Sequence, residues 1–355
     1  MASRIDAFLE LVAKQGGSDL HLVAGNPPRL RLYGDVIAIK YRELSSAETE
    51  SFLYEIMPES LHAEFERRNG LDFAYSVPDL ARFRVNVFRH LGGMGAVFRV
   101  VPHRVPELGQ LGLPPAVPAF CRHKQGLVLV TGPTGAGKST TLAAMIGHLN
   151  ANLRGHVITV EDPIEFLHTR DQCLISQREI GFHTPSFPAA LRSALREDPD
   201  VIMIGELRDY ESISLALTAA ETGVLVFATL HTSDAASTVD RLINAFPAAE
   251  QPRVRLMLAS SLVGVISQQL VRRSDGRGRV AAIEVLVNNP AAANLIREGK
   301  PEQLANVIQS GGLQGMQSMD TALRRLLDAR LVDGAAVYRL AANKQAFQQH
   351  AEADA

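Results

Sequence analysis

The segment GPTGAGKST, from Gly132 to Thr140, constrains the fold of this chain more than any other. It follows the apolar run LVLVT and precedes TLAAMIGHL, whose apolar spacing predicts a helix. This is the strand-to-helix context in which the pattern G-x-x-x-x-G-K-[ST] binds phosphates. Glycines let backbone N–H groups close around phosphate oxygens, and the start of a helix favours negative charge. We therefore expect a nucleotide-binding loop here rather than a glycine-rich turn without a ligand.

Each residue type in this loop has an expected role. The Lys138 ammonium should reach the β and γ phosphates, and the Ser139 hydroxyl should bind Mg²⁺. ATP and Mg²⁺ are therefore the expected cofactors. The expected nucleotide-binding residues are Gly132, Pro133, Thr134, Gly135, Ala136, Gly137, Lys138, Ser139 and Thr140.

Four apolar runs of strand length recur after residue 125, with helical patterns between them. Continuous apolar runs are typical of parallel strands buried between helices on both faces. The runs are GLVLVTG from Gly126, HVITVED from His156, DVIMIGE from Asp200 and VLVFATLH from Val224. Helices should dominate from about Gln251, with one further strand over Arg279–Val287. The patterns predict an α/β domain with a mostly parallel sheet and a helical carboxy-terminal part.

The first hundred residues have a different pattern. Pro28–Ile39 and Ala81–His90 alternate apolar and polar residues, which predicts half-buried strands. A cap-like residue, Ser45, precedes a helical pattern, and the apolar spacing from Ile5 to Val12 predicts a first helix. Prolines then recur from Pro102 to Pro118, as in a linker. We predict a smaller α+β domain over residues 1–102, a linker over 103–125 and an ATPase domain over 126–355.

Composition narrows the classes of protein. A net charge of -2 gives no overall reason to expect nucleic-acid binding, and the basic loop Val271–Arg279 is the only local support for it. Cys121 and Cys173 are the only cysteines, too few for a four-cysteine zinc module, and they fit a cytoplasmic location. Asp6 and Glu10 interrupt the amino-terminal region where a secretory signal would be apolar. The longest apolar stretch, Leu256 to Ile266, is shorter than the roughly 20 residues of a spanning helix.

Carboxylates follow two of the predicted strands. Glu206 comes directly after the run VIMIG, where it could orient a water for attack as a general base. The alternative is a surface carboxylate paired with Arg208. Glu161, Asp162 and Glu165 lie in VEDPIEF after another run, and such close carboxylates suit Mg²⁺ held through water. A solvated acidic turn is the alternative there.

His231 ends the fourth run, LVFATLH. Because parallel strands end at one edge of a sheet, we expect His231 close to Gly132, Glu161 and Glu206. A neutral imidazole there could hydrogen-bond the γ-phosphate or sense its loss. A structural histidine is the alternative, and no Cys or His partners stand at zinc-ligand spacing.

Taken together, the motifs resemble the secretion ATPase superfamily, most closely its type IV pilus retraction branch. The segments that carry the likeness are GPTGAGKSTTLAAM (Walker A), ITVEDPIEF (Asp box), ALREDPDVIMIGELRD (Walker B), TLHTSDAASTVDRL (His box) and, nearer the amino terminus, SDLHL and ARFRVNVFRHLGGMGAVFRVVP. The resemblance implies a RecA-like motor domain with a PAS-like amino-terminal domain. It also implies a homohexamer in which Arg84 and Arg99 act as arginine fingers beside the catalytic residues Glu206, Glu161, Glu165 and His231. Mg²⁺ would be held by Ser139, with Asp162 and Glu206 acting through water.

The function that this resemblance implies is ATP-driven pilus retraction and twitching motility. The expected partners are an inner-membrane pilus platform protein and other pilus ATPases, with peripheral attachment to the inner membrane. Zinc and nucleic acid are not expected. The alternatives are an accessory, weakly active partner of another retraction motor, or an ATPase for DNA uptake or secretion.

Two positions depart from the retraction branch. Val224 stands where a histidine is common, which leaves His231 as the only histidine of its box. The segment AAANLIRE, Ala291 to Glu298, stands where that branch has AIRNLIRE. Its alanines should still form a helix, but with less surface to contact a partner or a neighbouring domain.

Overall fold

The computed structural model describes residues 3–32, 35–78, 80–101, 105–276 and 278–350. Over these residues the chain forms two compact units. The first comprises Met1–Arg104 with Glu165–Leu167, and the second comprises Val105–Ile164 with His168–Ala355. No helix in the described part of the chain is long and apolar enough to cross a membrane.

The first unit is an α+β structure. Its antiparallel sheet has the order β3-β2-β1-β6-β5-β4. The strands are β1 (Asp19–Val23), β2 (Arg29–Leu32), β3 (Asp35–Ala38), β4 (Gly70–Val77), β5 (Ala81–His90) and β6 (Gly93–Val101). The helices are α1 (Asp6–Lys14), α2 (Ser46–Ile56) and α3 (Glu59–Arg68).

Local sequence signals explain the first two helices. Ile5, Leu9 and Val12 are fully buried, so the predicted apolar stripe of α1 faces the core. Ser45 and Glu48 form a reciprocal capping box at the start of α2. Both predicted helices are confirmed.

The strand predicted over Pro28–Ile39 is instead two strands. β2 and β3 pair antiparallel, with Leu30 opposite Ile37. Tyr33 and Gly34, between them, lie outside the described residues. The alternating pattern could not show the break, because apolar and polar residues alternate in both strands of an antiparallel pair. All four residues of β3 are exposed, as befits the edge of the sheet.

The second unit is built on a mixed sheet with the order β13-β12-β7-β11-β10-β8-β9. Neighbouring strands pair in parallel except β12 and β13, which are antiparallel. The strands are β7 (Gly126–Thr131), β8 (His156–Glu161), β9 (Leu174–Glu179), β10 (Val201–Ile204), β11 (Leu225–Leu230), β12 (Leu262–Arg272) and β13 (Arg279–Val287).

Helices cover both faces of this sheet, so that β7 is buried on each side. Leu127 and Leu129 belong to the core cluster that includes residues of α6 to α11, whereas Val128 and Val130 belong to the one that includes residues of α4 and α5. The helices are α4 (Ala116–Phe120), α5 (Lys138–Asn152), α6 (Phe187–Ala194), α7 (Tyr210–Glu221), α8 (Ala235–Asn244), α9 (Gln251–Ser261), α10 (Pro290–Glu298), α11 (Leu304–Ser310), α12 (Met319–Asp328) and α13 (Gly334–Leu340). The predicted fold class, α/β with a smaller α+β part and a helical carboxy-terminal part, is confirmed.

Three segments of the second unit differ from the sequence-based expectation. β9 and the eleven-residue β12 were not predicted, and β12 lies directly beside the strand that precedes the phosphate loop. The proline-containing segment after Val105, expected as a linker, groups with the second unit and contributes Leu108, Val117 and Phe120 to its core. The prolines do not prevent local structure there, because α4 contains Pro118 and the apolar residues between the prolines are buried. His103 and Arg104 lie outside the described residues.

Candidate functional site

The phosphate loop joins β7 to α5. β7 ends at Thr131 and α5 begins at Lys138, so the loop comprises residues 132–137. Gly132 and Gly137 have φ values of +142° and +88°, which other residues rarely adopt. Lys138 starts a helix of fifteen residues, so the N–H groups of the first turn lie at the loop. The local geometry is that of an anion-binding strand-to-helix turn.

The Lys138 ammonium is buried and held by the loop itself. Its Nζ donates to the carbonyls of Gly132 at 2.8 Å and Pro133 at 3.0 Å. The same atom lies 3.4 Å from Nδ1 of His231. Lys138 is therefore oriented towards the mouth of the loop and towards the end of β11.

His231 bridges Lys138 and Glu206. An ammonium can only donate, so Nδ1 of His231 accepts from Lys138 and the ring hydrogen resides on Nε2. Nε2 lies 3.3 Å from Oε1 of Glu206, close enough for the two groups to interact electrostatically. The chain Lys138–His231–Glu206 thus links the ends of α5, β11 and β10 at one edge of the sheet. The expected proximity of His231 to the loop and to Glu206 is confirmed.

Glu206 has a second partner. Its Oε2 accepts from Nε of Arg208 at 2.8 Å, and Arg208 lies 3.8 Å from Asp162. The surface pairing with Arg208, which the sequence left as an alternative, is therefore present. This pairing does not enclose Glu206, because the side chain stays 20% exposed and its other oxygen lies near the His231 ring.

The carboxylates of VEDPIEF do not share one environment. Glu161 is buried at the end of β8, where Oε1 accepts from Thr159 Oγ1 at 2.7 Å and Gln177 Nε2 at 3.3 Å. Asp162 is exposed, and Glu165 is exposed and groups with the first unit. Among the described residues no three His, Cys, Asp or Glu side chains form a group that could hold a metal ion. These three carboxylates therefore form neither a direct metal-ligand set nor a simple solvated turn.

Mg²⁺ fits the donors that remain. Ser139 is half-buried in the first turn of α5, directly after Lys138. Asp162 and Glu206 follow β8 and β10, which are neighbouring parallel strands. Mg²⁺ keeps several of its waters when it is bound to a protein. One hydroxyl ligand, with carboxylates that contact the metal through these waters, therefore suits Mg²⁺.

Arg84 and Arg99 lie on paired strands of the first unit. They are opposite each other in the β5–β6 register. Arg84 Nε lies 3.7 Å from Asp72, and Arg99 Nε donates to the buried Asp19 at 2.9 Å. Their side chains are 46% and 67% exposed, so both guanidinium groups are accessible. The ion pair of Arg84 with Asp72 leaves both side chains exposed to solvent.

Comparison with known proteins defines the family. The family model for type II/IV secretion system proteins matches residues 1–326. The chain belongs to this family. It is 50% identical over 328 residues to the type IV pilus retractation ATPase PilT of Pseudomonas aeruginosa, covering 92% of this chain and 95% of that protein. It is 49% identical to a twitching motility protein of Neisseria gonorrhoeae, covering 90% of this chain and 86% of that protein.

A solved structure of a pilus retraction motor has the same fold. The pilus retraction motor PilT with bound ADP superimposes with a TM-score of 0.91 at 40% identity. The match covers 98% of this chain and all of that one. The likeness therefore extends over both units and not only over the phosphate loop.

Three further side chains near the phosphate loop and the start of α8 have no motif in the sequence. Gln268 of β12 bonds the loop carbonyl of Ala136. Arg279, in the loop considered for nucleic acid, donates to the Gly135 carbonyl at 3.4 Å. Glu284 of β13 accepts from the Ala235 N–H that opens α8, within the His box, and burial raises the pKa of the Glu284 carboxyl. Of the two strands that carry these side chains, only β13 was predicted. The pairing register that sets the direction of the side chains could therefore not be predicted from the sequence.

Val224, the departure from the retraction branch, lies away from this edge. It is buried just before β11, whereas His231 directly follows that strand. Six strand residues separate the two positions by about 20 Å. A histidine at 224 would not share the environment of His231.

Proposed function

We propose that this chain is an ATP-hydrolysing motor that powers type IV pilus retraction and twitching motility. The observation that carries the proposal is the chain of contacts from the phosphate-loop lysine through His231 to Glu206. It places a basic anchor for phosphate, a neutral imidazole and a carboxylate at one sheet edge. The names of the relatives, a pilus retraction ATPase and a twitching motility protein, support the mechanical output.

Nucleotide binding is assigned to residues 132–140. The phosphates would take the place of the carbonyl oxygens that now receive the Lys138 ammonium, because a phosphate oxygen is the stronger partner for a cation. The N–H groups at the start of α5 would add donors without any change of fold. Ser139 would hold Mg²⁺ through its hydroxyl, with Asp162 and Glu206 contacting the metal's waters. When bound, the metal neutralises charge on the β and γ phosphates.

Glu206 is the proposed general base. A carboxylate with one oxygen near the site can orient water and accept its proton, and Glu206 is partly exposed. Arg208 holds the other oxygen, which fixes the direction in which the base points. His231 would orient Glu206 from Nε2 and respond at Nδ1 when Lys138 moves to phosphate.

Glu161 and Glu165 complete the proposed catalytic set in supporting roles. Glu161 is held by Thr159 and Gln177 and would order water at the end of β8. Glu165 is exposed and would act only when the motor is assembled.

The arginines are proposed to act in an assembled ring. Arg84 and Arg99 carry permanent charge on accessible guanidinium groups, which suit developing phosphate charge. We assign them as arginine fingers in a homohexamer, where they would exchange Asp72 and Asp19 for phosphate oxygens. The proposed partners are an inner-membrane pilus platform protein and other pilus ATPases, and the proposed location is cytoplasmic and peripheral to the inner membrane.

The decisive experiment combines ATP turnover of the purified chain with motility. Lys138→Ala should weaken nucleotide binding and abolish turnover, and it should fail to restore twitching in a strain that lacks its retraction ATPase. Lys124→Ala, an exposed lysine before β7, is the matched control and should behave as wild type. Turnover without restored twitching would favour another secretion or DNA-uptake system, and salt-sensitive DNA binding would identify the latter. Weak turnover that rises with a second retraction motor would favour the accessory role.

A further inference from the structure

Gln268 lies on β12 beside the phosphate loop and is buried with 3% exposure. Its Oε1 accepts from Thr141 Oγ1 at 2.8 Å, and its Nε2 donates to the Ala136 carbonyl at 2.7 Å. One side chain therefore joins the backbone of the loop to the beginning of α5. Both functional atoms of its amide are used inside the protein.

The loop glycines pack against the same residue. A Cβ added to Gly132 would lie 2.2 Å from the backbone carbonyl oxygen of Gln268. One added to Gly137 would lie 2.7 Å from the side-chain Nε2 of Gln268. Both separations are shorter than real Cβ contacts. The two ends of the loop are therefore in close contact with Gln268.

We propose that Gln268 is a positioning residue for nucleotide binding, which holds the phosphate loop in the conformation that presents its N–H groups to phosphate. The inference rests on the proposed nucleotide-binding function. Gln268 has no access to the phosphates, since its amide is buried and satisfied. It acts by removing alternative loop conformations before the ligand arrives, which lowers the entropy cost of binding.

The central test replaces Gln268 by methionine. Gln268→Met keeps the length of the side chain but removes both hydrogen bonds and leaves the Ala136 carbonyl without its donor. Loss of such buried bonds should raise the KM for ATP and the dissociation constant of mant-ADP with Mg²⁺ by about tenfold. The kcat should stay within about threefold, because Gln268 does not contact Glu206 or His231.

Two further variants control the result. Gln269→Met changes the next residue of β12, whose side chain projects from the opposite face of the strand, and should leave the KM within about twofold of wild type. Thr141→Val removes the partner hydroxyl and should raise the KM about threefold. The double variant should bind no more weakly than Gln268→Met alone, since both changes remove the same bond.

Thermal unfolding without nucleotide separates positioning from a merely structural role. A folded Gln268→Met protein with a lowered midpoint, but wild-type KM and mant-ADP affinity, would overturn the inference. If Gln268→Met fails to fold, Thr141→Val provides the test instead. An unchanged KM for ATP in a folded Thr141→Val protein would likewise overturn the inference. A wild-type chain that does not bind mant-ADP would refute the nucleotide site itself, which keeps the two failures distinct.

Discussion

The phosphate loop follows a strand whose two neighbours contribute different chemistry. On the β11 side, His231 and Glu206 are ionisable and accessible to solvent, His231 contacts the Lys138 ammonium, and Glu206 lies beside His231. On the β12 side, Gln268 is uncharged and fully hydrogen-bonded inside the protein. Changes on the first side should alter the rate of hydrolysis, whereas changes on the second should alter nucleotide binding. We call His231 and Glu206, on the β11 side, the reactive half of this sheet edge, and Gln268, on the β12 side, its rigid half.

The largest expected effect tests the reactive half. Glu206→Gln keeps the size of the side chain and removes the base, so kcat should fall by about 10²- to 10⁴-fold. Mant-ADP affinity should stay within about twofold, because the loop and Lys138 are intact. ATP turnover and mant-ADP titration of the same preparation measure the two quantities.

Glu221→Gln is the matched control for that variant, since Glu221 is an exposed carboxylate at the end of α7. It should leave kcat unchanged. If Glu206→Gln loses affinity and keeps its rate, the assignment of chemistry to the β11 side is wrong.

The second prediction tests whether ATP hydrolysis needs Arg84 and Arg99 in addition to the residues of the reactive half. Arg84→Ala and Arg99→Ala should each lower kcat by up to about 10³-fold without unfolding the protein. Arg89→Ala, on β5 with Arg84, is the control; Arg89 pairs with Glu66, and its loss should change kcat little. ATP turnover and circular dichroism compare the three variants.

Mixing subunits tests action between chains. Rings that combine Arg84→Ala with Lys138→Ala should recover part of the lost activity, since some interfaces would then carry an intact arginine and an intact loop. Mass photometry would verify that mixed rings form. Mixed rings that never exceed either parent would exclude action across subunits.

The third prediction concerns the link between the two reactive groups. His231→Ala removes the imidazole beside the Glu206 carboxylate and the acceptor of the Lys138 hydrogen bond, so kcat should fall by about tenfold to a hundredfold. The fall should be smaller than for Glu206→Gln, because the base remains. His123→Ala, an exposed histidine before β7, is the control. Equal losses for His231→Ala and Glu206→Gln would mean that the histidine itself takes part in proton transfer.

The reactive half could be predicted from the sequence, and the rigid half could not. GPTGAGKST is a local pattern, and Glu206 and His231 each follow an apolar run, so parallel strands bring them to one edge. β12 begins at Leu262, directly after α9 ends at Ser261, so no turn residues mark the change. The bond between Gln268 and Thr141 spans 127 residues, a separation that no local pattern encodes.

Side-chain direction was the other missing quantity. The sequence indicates that Glu161 and Glu206 lie at the ends of neighbouring strands, but it does not indicate which of the two carboxylates faces inward. Glu161 is the last residue of β8 and is buried, whereas Glu206 lies two residues beyond β10 and reaches His231. The short extension past the strand end leaves Glu206 accessible.

The smallest expected effect on turnover comes from AAANLIRE, which lies outside both halves. The predicted helix is confirmed as α10, and Asn289 caps it by accepting from the Ala292 N–H. The interpretation that its alanines reduce a contact surface is wrong, because Ala292 is fully buried and Ala293 is 9% exposed. An isoleucine at 292 would have to enter a filled core.

Ala292→Ile should therefore lower the free energy of unfolding by about 1–3 kcal/mol through overpacking. Because α10 supplies no group to the loop, Glu206 or His231, kcat and KM should stay within about twofold below the unfolding transition. Ala291→Ile, at an exposed position of the same helix, should change neither stability nor turnover appreciably. Urea unfolding and ATP turnover of the two variants make the comparison. A change in KM for Ala292→Ile at unchanged stability would mean that α10 influences the phosphate loop, and the division into two halves would then need a third element.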